Sequence, residues 1–201
     1  MAVRGDPLFA AAAVAQALEK LGVRYAVGGS IASSLYGVPR ATQDADIVAS
    51  LAIPHAARLA AALEAEFYVD EDMIRDAIRR QGTFNVVHLE TMFKVDVFVA
   101  KGDAWSEEEL SRARRERVGD VGAQVELVFA SPEDTLLHKL VWFRLGGGVS
   151  ERQWRDAMGV LRIQGDSLDH GYLDTWAGRL GVRDLLEKAR GEIARTGNRE
   201  R

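Results

Sequence analysis

Two aspartates separated by one alanine, Asp44 and Asp46, stand in the otherwise apolar run "DADIVAS", and a third, Asp96, stands alone in "FKVDVFVA". On a strand, residues two apart point to the same side, so Asp44 and Asp46 project together while Ala45 and Ile47 face a core. Neighbouring carboxylates repel and raise each other's pKa unless a cation lies between them. A divalent cation removes that conflict, and an all-oxygen ligand set suits magnesium or manganese. Asp96 repeats the pattern: Val95 and Val97 face away from it, and Lys94 shares its side. An acid buried unpaired is costly, so a lone aspartate in an apolar strand is an unusual choice. Three aspartates on two strands of one sheet could hold two cations about 3.5–4 Å apart, the geometry of in-line phosphoryl transfer.

A complementary feature precedes them. The apolar run "VRYAV" ends in Gly28-Gly29-Ser30. Glycines let a backbone come close to a phosphate, and the first turn of a following helix offers unpaired amides and a favourable dipole. The Ser30 hydroxyl would add a donor to a β- or γ-phosphate oxygen. Alone, Gly-Gly-Ser between a strand and a helix is most often a turn and a cap. Asp-x-Asp is likewise common on solvated strand edges. The combination, in this order, is far more specific than either part.

The elements that must position these residues follow from periodicity and punctuation. A first helix is expected from Pro7 to Leu21, with Asp6 as cap and Gly22 as stop, then a buried strand over 23–27 and a two-turn helix over 30–37. A strand over 45–50 precedes a helix opened by Pro54 and ending before Phe67, and a short helix from Arg75 to Arg80. The β-branched and aromatic segments 83–90 and 92–100 are close enough to pair as an antiparallel hairpin. A polar helix over about 106–115 and a strand over 123–130 complete this half. After Ser131-Pro132 strand signals stop, and helices are expected near 132–145, 150–163, 169–180 and 182–195. The expected fold class is α+β, a mixed or antiparallel sheet flanked by helices with a C-terminal helical subdomain. The expected domains are 1–130 and 131–201.

The string "GGS…DAD…VDVFV" resembles the signature of the nucleotidyltransferase superfamily, the DNA polymerase beta-like fold. Within it, "GGSIASSLYGVPRATQDADIVAS" is most similar to a minimal bacterial branch related to the AbiEii abortive-infection toxins, where an Arg-x-Thr-x-Asp-x-Asp string is typical. Arg40, Thr42, Asp44 and Asp46 match that string. In "SPEDTLLHKLVWFR…ERQWRDAMGVL", Lys139 and the pair Arg155-Asp156 occupy the places of a lysine and an Arg/Lys-Asp pair in the same branch. The resemblance covers about residues 20–165. It implies transfer of a nucleoside monophosphate from an NTP to an acceptor hydroxyl, with release of pyrophosphate and dependence on Mg2+ or Mn2+. Asp44 and Asp46 would bind metal, and Asp96 would complete the catalytic metal site. Gly28, Gly29, Ser30 and Thr42 belong to the nucleotide-binding stretch. Arg40 would neutralise charge on pyrophosphate, or else pair with Asp44. Lys94 would contact phosphate or pair with Asp96. Lys139 would clamp the triphosphate or be a solvated helix lysine. The acceptor is left open among a tRNA end, a protein and a small hydroxyl compound, and a toxin would bring a cognate antitoxin as partner. The alternative from another class is a non-catalytic nucleotide-binding or interaction protein that keeps the fold.

Composition narrows the field further. With 201 residues and 47% hydrophobic content the chain can bury a substantial core. It has no cysteine, so it offers no disulfide framework and no thiolate site, which fits a reducing cytoplasm. The net charge of -4 argues against a generic polyanion binder. No apolar run approaches the length of a membrane span, and the alanine-rich start, interrupted by Gln16, Glu19 and Lys20, reads as an amphipathic helix rather than a leader. The histidines at 55, 88, 138 and 170 show no metal-ligand spacing. The basic run 111–119 reads as a solvated helix face, with contact to an RNA acceptor as its functional alternative. "RLGGGVSERQ" lacks the Gly-Lys-Ser/Thr ending of a phosphate loop and reads as a linker. Trp142, Trp154 and Trp176 read as core or interface residues.

Overall fold

The computed structural model describes residues 7–119 and 124–197. The expected cap Asp6, residue 123 of the expected last strand and the end of the polar tail lie outside the described residues. Two compact units divide the chain: one comprises 1–31 and 41–130, the other 32–40 and 131–201.

In the first unit, α1 (Pro7–Lys20) leads into β1 (Tyr25–Val27), and α2 (Gly29–Tyr36) starts there and crosses into the second unit. Then come β2 (Asp44–Ala49), a 3-10 turn at Ile53–His55, α3 (Ala56–Leu63), β3 (Phe67–Tyr68), α4 (Glu71–Arg80), β4 (Thr83–His88) and β5 (Lys94–Val99). The unit closes with α5 (Ala104–Arg112), β6 (Arg114–Val118) and β7 (Val125–Phe129). The strands form one mixed sheet in the order β3-β4-β5-β2-β1-β7-β6. β2 runs parallel to β5 and β1 to β7; the other neighbours are antiparallel, including the expected β4–β5 hairpin.

One sheet face is apolar and fully buried. Ala45, Ile47, Ala49, Val95, Val97, Phe84 and Val86 supply it, and α1 packs against β1, β2, β5 and β7. Short side chains let that helix approach closely: Ala10, Ala11, Val14, Ala15 and Leu18 are all buried. The alternate residues of β2 and β5 face the other way and stay partly exposed. That alternation, period two over six residues in each strand, carries the site.

Three local expectations change. The polar helix α5 stops at Arg112 rather than near 115, and residues 114–118 of the basic run form the edge strand β6, paired with β7. Arg114, Arg115 and Arg117 are exposed there. Charged side chains on an edge strand discourage pairing with another chain, and they hide the apolar alternation by which a strand is read. The two-residue strand β3 has no sequence signal, being too short to show a period. The helix expected from Arg75 starts earlier, because the Asp70 carboxylate accepts from the Met73 amide and caps α4 from Glu71.

The second unit contains α6 (Pro132–Leu145), α7 (Glu151–Gln164), α8 (His170–Arg179) and α9 (Arg183–Gly197), with a 3-10 turn at Gly165–Ser167. Ser131, Ser150 and Asp169 cap the first three of these helices through their side chains. Leu136, Leu137, Leu140, Ala157, Val160, Leu173 and Leu186 form the core. Segment 32–40 belongs to this unit: the Tyr36 carbonyl accepts from Gln164 Nε2 at 2.9 Å. A Cβ on Gly37 would meet the Val160 nitrogen at 2.8 Å, so glycine is required for that approach. No helix among the described residues is long and apolar enough to cross a membrane.

Candidate active site

The register of β2 against β5 sets the geometry. Asp46 lies directly opposite Asp96, and Asp44 opposite Lys94. All four share the partly exposed face, because their neighbours Ala45, Ile47, Val95 and Val97 take the buried one. Lys94 Nζ sits 2.7 Å from Asp96 Oδ2. The hydrogen bond to Asp96 raises the ammonium pKa; partial burial opposes this, and the charges of Asp96, Asp44 and Asp46 add to the rise. The Thr42 hydroxyl donates to Asp44 Oδ1 at 2.7 Å, which orients that carboxylate from the loop before β2. On the far side of Asp96, β4 places Asn85 opposite it.

The Gly-Gly-Ser stretch joins this face through its backbone. The Gly28 amide donates to the Asp46 carbonyl at 2.9 Å, so that N–H is spent on the sheet. Gly29 opens α2 with φ +57°, and a Cβ there would fall 1.7 Å from Asp46 Oδ2. The glycine therefore serves two needs at once, a left-handed backbone and a place for the Asp46 carboxylate against the first turn of the helix. Ser30, next along, is buried.

Of the residues singled out in the sequence, Gly28, Gly29, Ser30, Thr42, Asp44, Asp46, Lys94 and Asp96 belong to this one unit. Arg40 and Lys139 belong to the other, where both meet Asp156. Arg40 binds it with two nitrogens, Nε to Oδ1 at 3.0 Å and Nη2 to Oδ2 at 2.9 Å. Lys139 Nζ lies 3.0 Å from Oδ2, and the Ser33 hydroxyl donates to the same oxygen at 3.3 Å. Arg40 is thus paired with Asp156 within the second unit, and Lys139 is buried, at 4% exposure, instead of solvated. Burial alone would push the Asp156 carboxyl up, but the Arg40 hydrogen bonds and the Lys139 charge outweigh it and hold its pKa below the ordinary value. Ser33 carried no sequence signal, since its partner lies 123 positions away. The histidine ring at 88 is structural: it packs edge-on against Phe9 and Phe67 and bonds Thr91. Trp176 is buried as expected, whereas Trp142 is exposed.

The donor set suits a hard divalent cation. It is oxygen-only, its three carboxylates occupy adjacent positions of one face, and Gly29 leaves the room that a Cβ would fill beside Asp46. As the side chains stand, Asp96 is turned to Lys94, and among the described residues no three His, Asp or Glu side chains converge to hold a metal ion.

No protein-family model matches the chain, and neither does the sequence of any curated protein. Solved structures do resemble it. An antigenic nucleotidyltransferase-like protein from Paracoccidioides brasiliensis superposes with a TM-score of 0.55 at 18% identity, over 94% of this chain and 93% of that one. The antibiotic-resistance factor ANT(2'')-Ia superposes with a TM-score of 0.50 at 12% identity, over 93% of this chain and 94% of that one. The chain therefore has the nucleotidyltransferase fold, a mixed α+β sheet with helices.

Proposed function

We propose that the chain is a metal-dependent nucleotidyltransferase that moves a nucleoside monophosphate from an NTP to an acceptor hydroxyl and releases pyrophosphate. One observation carries this reading: the β2–β5 register brings Asp96 opposite Asp46 and puts Asp44 on the same face, beside the start of α2. Asp44, Asp46 and Asp96 would hold Mg2+ or Mn2+. Bound there, the cation supplies charge neutralisation to the triphosphate and lowers the pKa of the acceptor hydroxyl. The protein's own groups do the rest. The first-turn amides of α2 and the Ser30 hydroxyl receive phosphate oxygens, and the Gly28 amide, committed to Asp46, fixes the loop instead. Thr42 orients Asp44. Asp96, at the β4 side of the cluster, takes the proton of the attacking hydroxyl. The phosphate roles expected of Arg40 and Lys139 would each require the side chain to leave Asp156.

The acceptor classes remain a tRNA end, a protein or a small hydroxyl compound. An AbiEii-like toxin acting in the cytoplasm beside a cognate antitoxin is the form in which the first two would serve. Incubation with α-labelled NTPs and whole-cell extract tests the reading, with label expected in one acceptor class. Absence of label from RNA, protein and small molecules, with NTP still bound, would leave a non-catalytic nucleotide-binding protein. Asp96→Asn should lower transfer by about a thousandfold or more while NTP affinity changes less than about threefold. Equal turnover in wild type and variant would remove Asp96 from the chemistry.

A further inference from the structure

A cation already stands among the three carboxylates. Lys94 and Asp96 lie two apart on β5 and so point the same way, with 2.7 Å between ammonium and carboxylate. The register sets Lys94 opposite Asp44, while Asp46 is opposite Asp96. Lys94 thus adjoins the full set of acids that the proposed reaction needs. Without it, three like charges on neighbouring strand positions would repel one another. Its side chain is 42% exposed and that of Asp96 18%, so the ammonium is seated at an opening and not locked in the core. A lysine stem is long and flexible, and its head is readily returned to solvent or passed to another anion.

We propose that Lys94 is the resident counter-ion of this face and gates its metal loading. A divalent cation draws on all three carboxylates only after Asp96 releases the Lys94 ammonium. This inference rests on the reading of Asp44, Asp46 and Asp96 as metal ligands. Metal arriving alone must displace an internal charge, so its affinity is low. Metal arriving with a triphosphate meets a lysine that has a new anion to pair with, so the two ligands bind with positive coupling. The device removes one of the three negative charges from the empty face and reserves metal binding for the moment the nucleotide is present.

The test uses the full-length protein and Mn2+ alone, with free Mn2+ followed by electron paramagnetic resonance. Lys94→Met should bind Mn2+ about tenfold or more tightly than wild type, and Lys94→Arg should stay near wild type. Raising the salt should narrow the difference. In thermal melts, Lys94→Met should melt lower than wild type without Mn2+ and gain more from adding it. The wild type provides a further arm that needs no variant: a non-hydrolysable NTP analogue should raise its Mn2+ affinity by about the same tenfold. If that affinity is unmoved by the analogue, or if Lys94→Met binds Mn2+ no better than wild type, the gate is overturned. An Asp44→Ala control separates the two levels. Weakened Mn2+ binding in Asp44→Ala beside an unaltered Lys94→Met removes the gate alone. Unchanged binding in Asp44→Ala removes the metal-ligand reading, and the gate with it.

Discussion

Gly29 shows how much one missing methyl group decides. Its φ of +57° costs an L-residue roughly 1–2 kcal/mol, and a Cβ would fall 1.7 Å from Asp46 Oδ2. Gly29→Ala should therefore lower stability by about 1–3 kcal/mol and weaken Mn2+ binding, because the Asp46 carboxylate must swing away. Urea denaturation and Mn2+ titration check the two effects; intact Mn2+ affinity in a folded variant would show that Asp46 has no fixed seat there. The need for glycine was legible in the sequence as a flexible, anion-friendly turn, but its reason was not. A glycine before a helix suits the approach of a phosphate, whereas the group pressed against Gly29 is a side chain from β2. The spacing of Asp44, Asp46 and Asp96 was fully legible, since strand alternation is local. The pairing of Lys94 with Asp96 was legible for the same reason.

Between elements, long-range partners decide, and these the sequence hides. Asp156 on α7, 116 positions from Arg40, joins that residue, from the loop after α2, and Lys139 on α6. Only resemblance to a known family drew attention to Asp156 and Lys139, because neither position has a local reason to be charged. Asp156→Ala should cost about 3–5 kcal/mol, since it strands a buried ammonium and a mostly buried guanidinium; chemical denaturation measures the loss. The pH dependence has a definite sign. The folded Asp156 pKa is lower than the unfolded value of about 3.9. Its stabilisation is present above the unfolded pKa and is lost as pH falls through the folded one. Asp156→Asn should flatten the acid limb of the stability curve below about pH 4, and a variant with the wild-type slope there would exclude Asp156 as its source. The edge strand β6 was illegible for another reason: Arg114, Arg115 and Arg117 make its composition that of a solvated helix face, and only the ladder with β7 reveals a strand.

At the scale of the molecule, the second unit is discontinuous, taking 32–40 from the amino-terminal part of the chain. The end of strand signals suggested a boundary at residue 131; the earlier excursion gave no sign, since 32–40 has no helical-bundle signature. Cutting the chain at 130 should deprive that segment of Gln164, Asp156 and the backbone of Gly159 and Val160 at once. Hydrogen exchange of a 1–130 fragment should then show fast exchange over 32–40 beside protected β2 and β5, and protection equal to the full chain would contradict the division. The parallel pairing of β2 with β5 has a consequence in time as well as in space. Parallel neighbours cannot be joined by a tight turn, so residues 50–93 must be made before Asp96 can reach Asp46. During synthesis the chain passes through a long interval in which it carries two of its three acids, with β1 beside them but not yet the strand that brings the third. Whatever chemistry the site performs begins only once the crossover has docked.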